Sequence, residues 1–152
     1  MAYVTAEARQ QLLDSIAEAI DEIGVAFAAL GAAYEQLDEQ TADRLEEQLY
    51  RPVQGAYGRA RRTHAGFAER VGLPGRTFEP AHAGLPSQGV KGFLEHAVDS
   101  VAEADAILTE LQDSMRPVEV GDPELRAGLA EVREVLGTIP ERAQGFLRTF
   151  GR

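Results

Sequence analysis

The chain has 152 residues, 25 acidic and 15 basic side chains, and a formal net charge of −10. That length suits one domain with a full core. A surface this acidic argues against nucleic acid, whose phosphates need a basic face, and against an anionic membrane; with no cysteine, disulfides, thiolate metal sites and a Cys nucleophile are excluded.

The amino terminus, Met1-Ala2-Tyr3-Val4-Thr5, has no basic segment leading into an apolar run, so no secretory leader is expected. No stretch approaches the ~20 uninterrupted apolar residues of a membrane span. A cytoplasmic protein is the expectation.

The first predicted helix covers about residues 5–38. Leu13, Ile16, Ile20, Ile23, Phe27, Leu30, Tyr34 and Leu37 follow one another at alternating spacings of three and four. This pattern sets them on one stripe of an α-helix. Full burial of one such side chain contributes roughly 1.5–3 kcal/mol, so the stripe needs partner helices. Thr5 is the expected N-cap, with Glu7 just inside it. Ala19, Ala26 and Ala33 stand one heptad apart beside the seam. They are read as good helix formers in an Ala-rich chain.

The second helix, about 41–72, follows the short link Glu39-Gln40 and takes Thr41 as its cap. So short a link makes the first two helices antiparallel neighbours. Its seam starts as Ala42, Leu45, Leu49 and resumes one position out of step as Tyr50, Val53, Tyr57, Ala60, His64, Phe67, Val71. Pro52 lies at the break, which predicts a kink or local rewinding near Leu49 to Pro52. From Gly72 to Pro86, Pro74, Gly75, Pro80 and Gly84 rule out regular structure. Phe78 and Leu85 are apolar anchors there, so an ordered cap over one end of the bundle is expected.

Ser87 caps the third helix, about 87–115, with the seam Val90, Leu94, Ala97, Val101, Ala104, Leu108, Leu111, Met115. Pro117 stops it, and residues 116–121 read as an extended linker. Asp122-Pro123-Glu124 is a strong helix start. The fourth helix, about 123–150, carries Leu125, Leu129, Val132, Leu136, Ile139, Ala143, Phe146 and Phe150 in one register across Pro140, with Gly151 as its C-terminal cap. The fold class is therefore all-α: an up-down-up-down four-helix bundle of long helices, one domain over 1–152, with one long ordered loop between the second and third helices.

Chemistry-bearing residues gather on the second helix. Folding it back about Gln40 sets Leu30 near Tyr50, Ile23 near Tyr57 and Ile16 near His64. With Tyr34, the residues Tyr50, Tyr57 and His64 are the candidate lining of a small-ligand pocket. The competing reading has the rings buried and the hydroxyls reaching solvent or a carbonyl. Folding the third helix back about Pro80 brings His64 and His96 to one level. Bundle metal sites, however, set Glu and Glu-x-x-His groups inward on facing helices, and the one such spacing here, Glu79 to His82, falls in the proline-rich loop. No metal and no cofactor is expected.

Arg59 and His64, with four residues between them, resemble the Arg-x4-His signature of the HEPN helical ribonucleases. The resemblance implies general acid/base and phosphate-stabilising roles for Arg59 and His64 at a dimer cleft. It covers six residues, and Ala60 stands where a polar residue often follows the Arg. No family pattern extends along the chain. Arg51, Arg59, Arg61, Arg62, Arg70 and Arg76 concentrate positive charge on and after the second helix. They are read as a solvated face that pairs with acids on neighbouring helices, in preference to a dock for an acidic partner or a phosphate-bearing ligand.

The functional expectation is a non-enzymatic bundle acting through protein–protein contacts, as adaptor, scaffold or self-associating unit. The alternative is a ligand-binding or enzymatic bundle using Tyr50, Tyr57 and His64, with a ribonuclease-like site at Arg59 and His64 as its most concrete form.

Overall fold

The computed structural model describes residues 2–80, 82 and 88–150. Its elements are α1 (Ala2–Glu35), α2 (Glu39–Leu45), a π-helical turn (Glu46–Tyr50), α3 (Arg51–Val71), α4 (Gly89–Asp113), the short α5 (Arg116–Glu119) and α6 (Pro123–Phe150). The described residues include no strand. The segment from α2 through the π-turn to α3 is one continuous column, so four long columns form the bundle. Ile20, Val101 and Val132, from three different seams, are 0%, 1% and 1% exposed, and they belong to one hydrophobic cluster. No described helix is long and apolar enough to cross a membrane.

Several helix ends differ from the sequence reading. Helix α1 is already helical at Ala2, so Thr5 lies inside it. The second column is capped by Asp38, not Thr41: the Thr41 N–H donates to Asp38 Oδ1 at 2.8 Å and its hydroxyl to Oδ2 at 3.0 Å. These bonds, the backbone one first, hold the Asp38 carboxyl below its ordinary range. Residues 116–119 form a helical turn where an extended linker was expected. It follows Met115, whose φ of 63° reverses the chain; Met115 is consequently 50% exposed and drops out of the α4 seam. The start of α6 is as read, with the Leu125 N–H on Asp122 Oδ1 at 2.8 Å. Leu85, Ser87 and Gly151 lie outside the described residues.

The one-residue slip in the second seam has a direct structural cause. In the turn Glu46–Tyr50 the Arg51 N–H donates to the Glu46 carbonyl, five residues back. A π-turn holds one extra residue, so the inward face passes from Leu49 to the Tyr50–Val53–Tyr57 register. Pro52 has no N–H for the Gln48 carbonyl. Arg142 of α6 donates to that carbonyl through Nη1 at 3.4 Å.

Ala19, Ala26 and Ala33 are more than helix formers, being 1%, 0% and 0% exposed. Ser15 faces Ile107 and Leu111 of α4 across a surface groove. The three alanines stand four, eleven and eighteen residues further on, hence on the same stripe. Helix α4 brings small buried residues of its own, Ala97, Ser100 and Ala104. Small side chains on both sides let two backbones approach closely, and α1–α4 is the most extensive helix contact in the molecule.

The direction of α4 corrects the expected up-down-up-down order. Arg9 Nε, near the start of α1, donates at 3.0 Å to the carbonyl of Val120, beyond the end of α4, and Ser15 and Glu18 share a groove with Ser114 and Arg116. Thus α4 runs antiparallel to α1. It is also antiparallel to α6, since Arg133 reaches Asp105 at 3.0 Å while Pro140 and Leu147 lie beside Glu95 and Val98. The order is up-down-down-up, with extended contacts running α1–α4–α6–α3–α1. The described part of the connection, residues 72–80, runs back along α1 and α3: Arg76 meets Asp21 and Phe78 meets His64. Residues 72–80 are a strap along the bundle, not a cap over its end.

Candidate functional site

Three of the four candidate pocket residues form one aromatic row along the α1–α3 seam. Phe27 stands between Tyr57 (ring centroids 5.8 Å) and Tyr50 (4.9 Å), and Tyr34 follows Tyr50 at 6.2 Å. The rings settle where α1 has no side chain. A Cβ on Gly24 would lie 3.3 Å from Tyr57 Cε1, and one on Gly31 would lie 3.8 Å from Tyr50 Cε2. The glycine notches are thus filled by protein. Tyr57 is 3% exposed and Tyr34 37%, so the row runs from core to surface. Burial raises the Tyr57 phenol, against the opposing pull of Arg61. The guanidinium of Arg61 covers the Tyr57 ring, its carbon 4.4 Å from the centroid.

His64, two turns further along α3, occupies a separate place. It is 3% exposed and meets Phe78 of the strap edge-on at 5.2 Å. Burial pushes its pKa down, opposed by a hydrogen bond to the Leu13 backbone. Nδ1 is buried without a partner, so the ring that suits this place is neutral, with Nε2 the nitrogen left for Leu13.

Arg59 and His64 do not converge. Arg59 Nε reaches Glu131 of α6 at 2.7 Å, whereas His64 faces α1 and the strap. A spacing of five residues turns a helix by about 140°, which separates the two side chains. The Arg-x4-His resemblance therefore gains no shared cleft. The three histidines do not meet either: His82 and His96 are exposed, and α4, which carries His96, is diagonal to α3. Among the described residues no cluster of His, Asp and Glu is arranged to hold a metal ion.

Most of the arginine run is paired. Arg70 grips Asp122 with two bonds, 2.7 and 3.0 Å, and reaches Glu124 at 2.9 Å. The Arg70 bond is the main reason the Asp122 carboxyl lies below its usual range. Arg51 meets Glu46 at 3.6 Å, and Arg76 meets Asp21 at 2.9 Å. Arg61 and Arg62 form no ion pair with any described residue and line a groove between α3 and the strap.

A larger groove, about 450 Å³, opens between α4 and α6 around Pro140. Val98, Ala143 and Leu147 give it an apolar floor, and Glu95, Asp99 and Glu141 stand at its edges. Sequence reading missed it because Val98 and Leu147 lie off the seams. The available signal was Pro140, exposed on an otherwise regular helix. Comparison with known proteins supplies no further guide: no family model, curated protein or solved structure matches the chain.

Proposed function

We propose that the protein is a non-enzymatic bundle acting through protein contacts, and that the α4–α6 groove receives an amphipathic basic helix of a partner. The observation that carries this reading is the combination of an apolar floor, Val98, Ala143 and Leu147, with the carboxylates Glu95, Asp99 and Glu141. A helix with an aliphatic face fits such a floor, and flanking Lys or Arg side chains complement the edges. The chain's charge of −10 steers a basic partner toward it. The filled tyrosine notches and the divergence of Arg59 from His64 favour this reading over a ligand pocket or a nuclease on α3.

The test is titration of a fluorescent Leu/Lys amphipathic peptide against the protein, with a Leu/Glu peptide as control. The Lys peptide is expected to bind, with affinity falling as salt rises. Val98→Ser and Leu147→Ser leave the charge unchanged and are expected to weaken binding at least about tenfold, the effect of ~1.4 kcal/mol. Equal affinity in these variants would reduce the interaction to bulk charge and remove the groove from it. Self-association is checked by sedimentation: a dimer broken by the same two substitutions would make a second copy the occupant.

A further inference from the structure

We propose that the groove between α3 and the strap is a binding site for the phosphate groups of a small molecule, held by Arg61, Arg62 and Arg76. This site is independent of the α4–α6 groove. The chain has more acids than bases, 25 against 15, and Arg51, Arg59, Arg70, Arg76 and Arg133 each meet a carboxylate. Arg61 and Arg62 are adjacent, and among the described residues they have no carboxylate partner and neither donates to a backbone carbonyl as Arg9, Arg126 and Arg142 do. The two stand where a third guanidinium is brought in by another element.

Arg61 and Arg62 are placed without an acid, and Arg76 shares its charge with Asp21. The Arg61 guanidinium carbon stands over the Tyr57 ring, 4.4 Å from its centroid, a cation–π contact that places the group without using its charge on an acid. Arg76 lies on Phe78 at 4.8 Å and spends one nitrogen on Asp21, at 2.9 Å; its other donors remain. Arg62 folds back over Gly58, where a Cβ would stand 3.2 Å from Nη1. Arg70 lies over Gly66 in the same way, at 3.0 Å, but is engaged by Asp122, whereas Arg62 has no such partner among the described residues. Thr77 adds a hydroxyl, Phe78 an apolar wall, and the groove measures about 360 Å³.

Guanidinium forks match phosphate oxygens in geometry as well as charge. Three such groups converging on one groove from a helix and a strap suit a ligand with two or more phosphates. Asp21 pairs with Arg76, and Asp21 and Glu79 both act on Tyr57 beside the site, so neighbouring acids disfavour a long polyanion.

The experiment is calorimetric titration of the full chain with inorganic pyrophosphate and with adenosine triphosphate, at matched ionic strength. Both are expected to bind. Equal affinities would make the phosphates the whole of the recognised chemistry; tighter nucleotide binding would add a base contact beside them. Arg62→Gln and Arg61→Gln alter exposed side chains and are expected to weaken binding at least about tenfold each, in line with charge-assisted bonds. Gly58→Ala keeps every charge and is expected to weaken it by displacing Arg62, which general attraction to a basic patch would not produce. Absence of binding by either ligand, or binding that Arg62→Gln and Gly58→Ala leave unchanged, would overturn the proposal.

Discussion

The α1–α4 pair and the α3 column solve the same problem differently. Between α1 and α4 the seams run unbroken, the buried polar content is one residue, Ser100, and alanines bring the helices together. The α3 column has a π-turn, glycines, a buried imidazole and a tyrosine row, and the strap lies against it. The first pair stores stability in close packing. The second accepts irregularity and carries the buried imidazole of His64, the buried phenol of Tyr57 and the adjacent guanidinium groups of Arg61 and Arg62. Irregular helices of this kind are where chemistry is expected to collect.

The heaviest blow to this division comes from the regular side. Ile20→Asp puts an unpaired charge at a fully buried position and is expected to cost more than about 4 kcal/mol. A cooperative thermal transition near the parent's would show that the α1 seam is not the core. On the irregular side, Gly128→Ala drives a methyl group into Thr63, which is buried and bonded to the Arg59 carbonyl at 2.8 Å. A loss of about 1–3 kcal/mol is expected from such overpacking. Thr63→Ala in the same chain should recover part of it; strictly additive losses would mean the two positions do not touch.

How far these features could be read beforehand depended on what each rests upon. Burial followed from the spacings except toward the helix ends, where Tyr34, Met115 and Phe150 are exposed, and the slip between Leu49 and Tyr50 marked the place of the π-turn. The facing of Tyr57 and Tyr50 by α1 came within a residue of the true register. The direction of α4 was not readable, because a heptad seam fixes which side is buried and not which way the helix points. Residues 72–88 are long enough either to cap one end or to run the bundle's length. The Arg61–Arg62–Arg76 grouping depends on the path of that strap, so it stayed hidden with it.

Smaller effects sharpen the contrast. Ala26→Leu should wedge α1 from α4 and lower stability by about 1–3 kcal/mol, measured by urea denaturation. A neutral result would show slack in the tight pair. Gly31→Ala meets only Tyr50, at an ordinary 3.8 Å, and should stabilise by about 0.5–1 kcal/mol through helix propensity. A loss there would place Tyr50 deeper in its notch.

The least change at neutral pH belongs to His64. Its folded pKa is lowered from 6.5, chiefly by burial. The unfolded chain therefore binds the extra proton first, and stability declines as pH falls below about 6.5 toward the folded value. Asp14 on α1 and Arg76 on the strap act on the ring in opposite directions, Asp14 favouring its charged form and Arg76 opposing it. Melting temperature against pH should lose this slope in His64→Leu. A parent and variant with parallel profiles would locate the titration elsewhere.

Because α1 and α6 point the same way, Ala2 and Phe150 sit at opposite poles of the bundle. With 34 residues in α1, the poles are ~50 Å apart at 1.5 Å per residue. Bodies fused to the two tips would be held that far from one another. Tension between them would shear the helices lengthwise, straining many interlocked side chains at once, instead of peeling one helix away from its end.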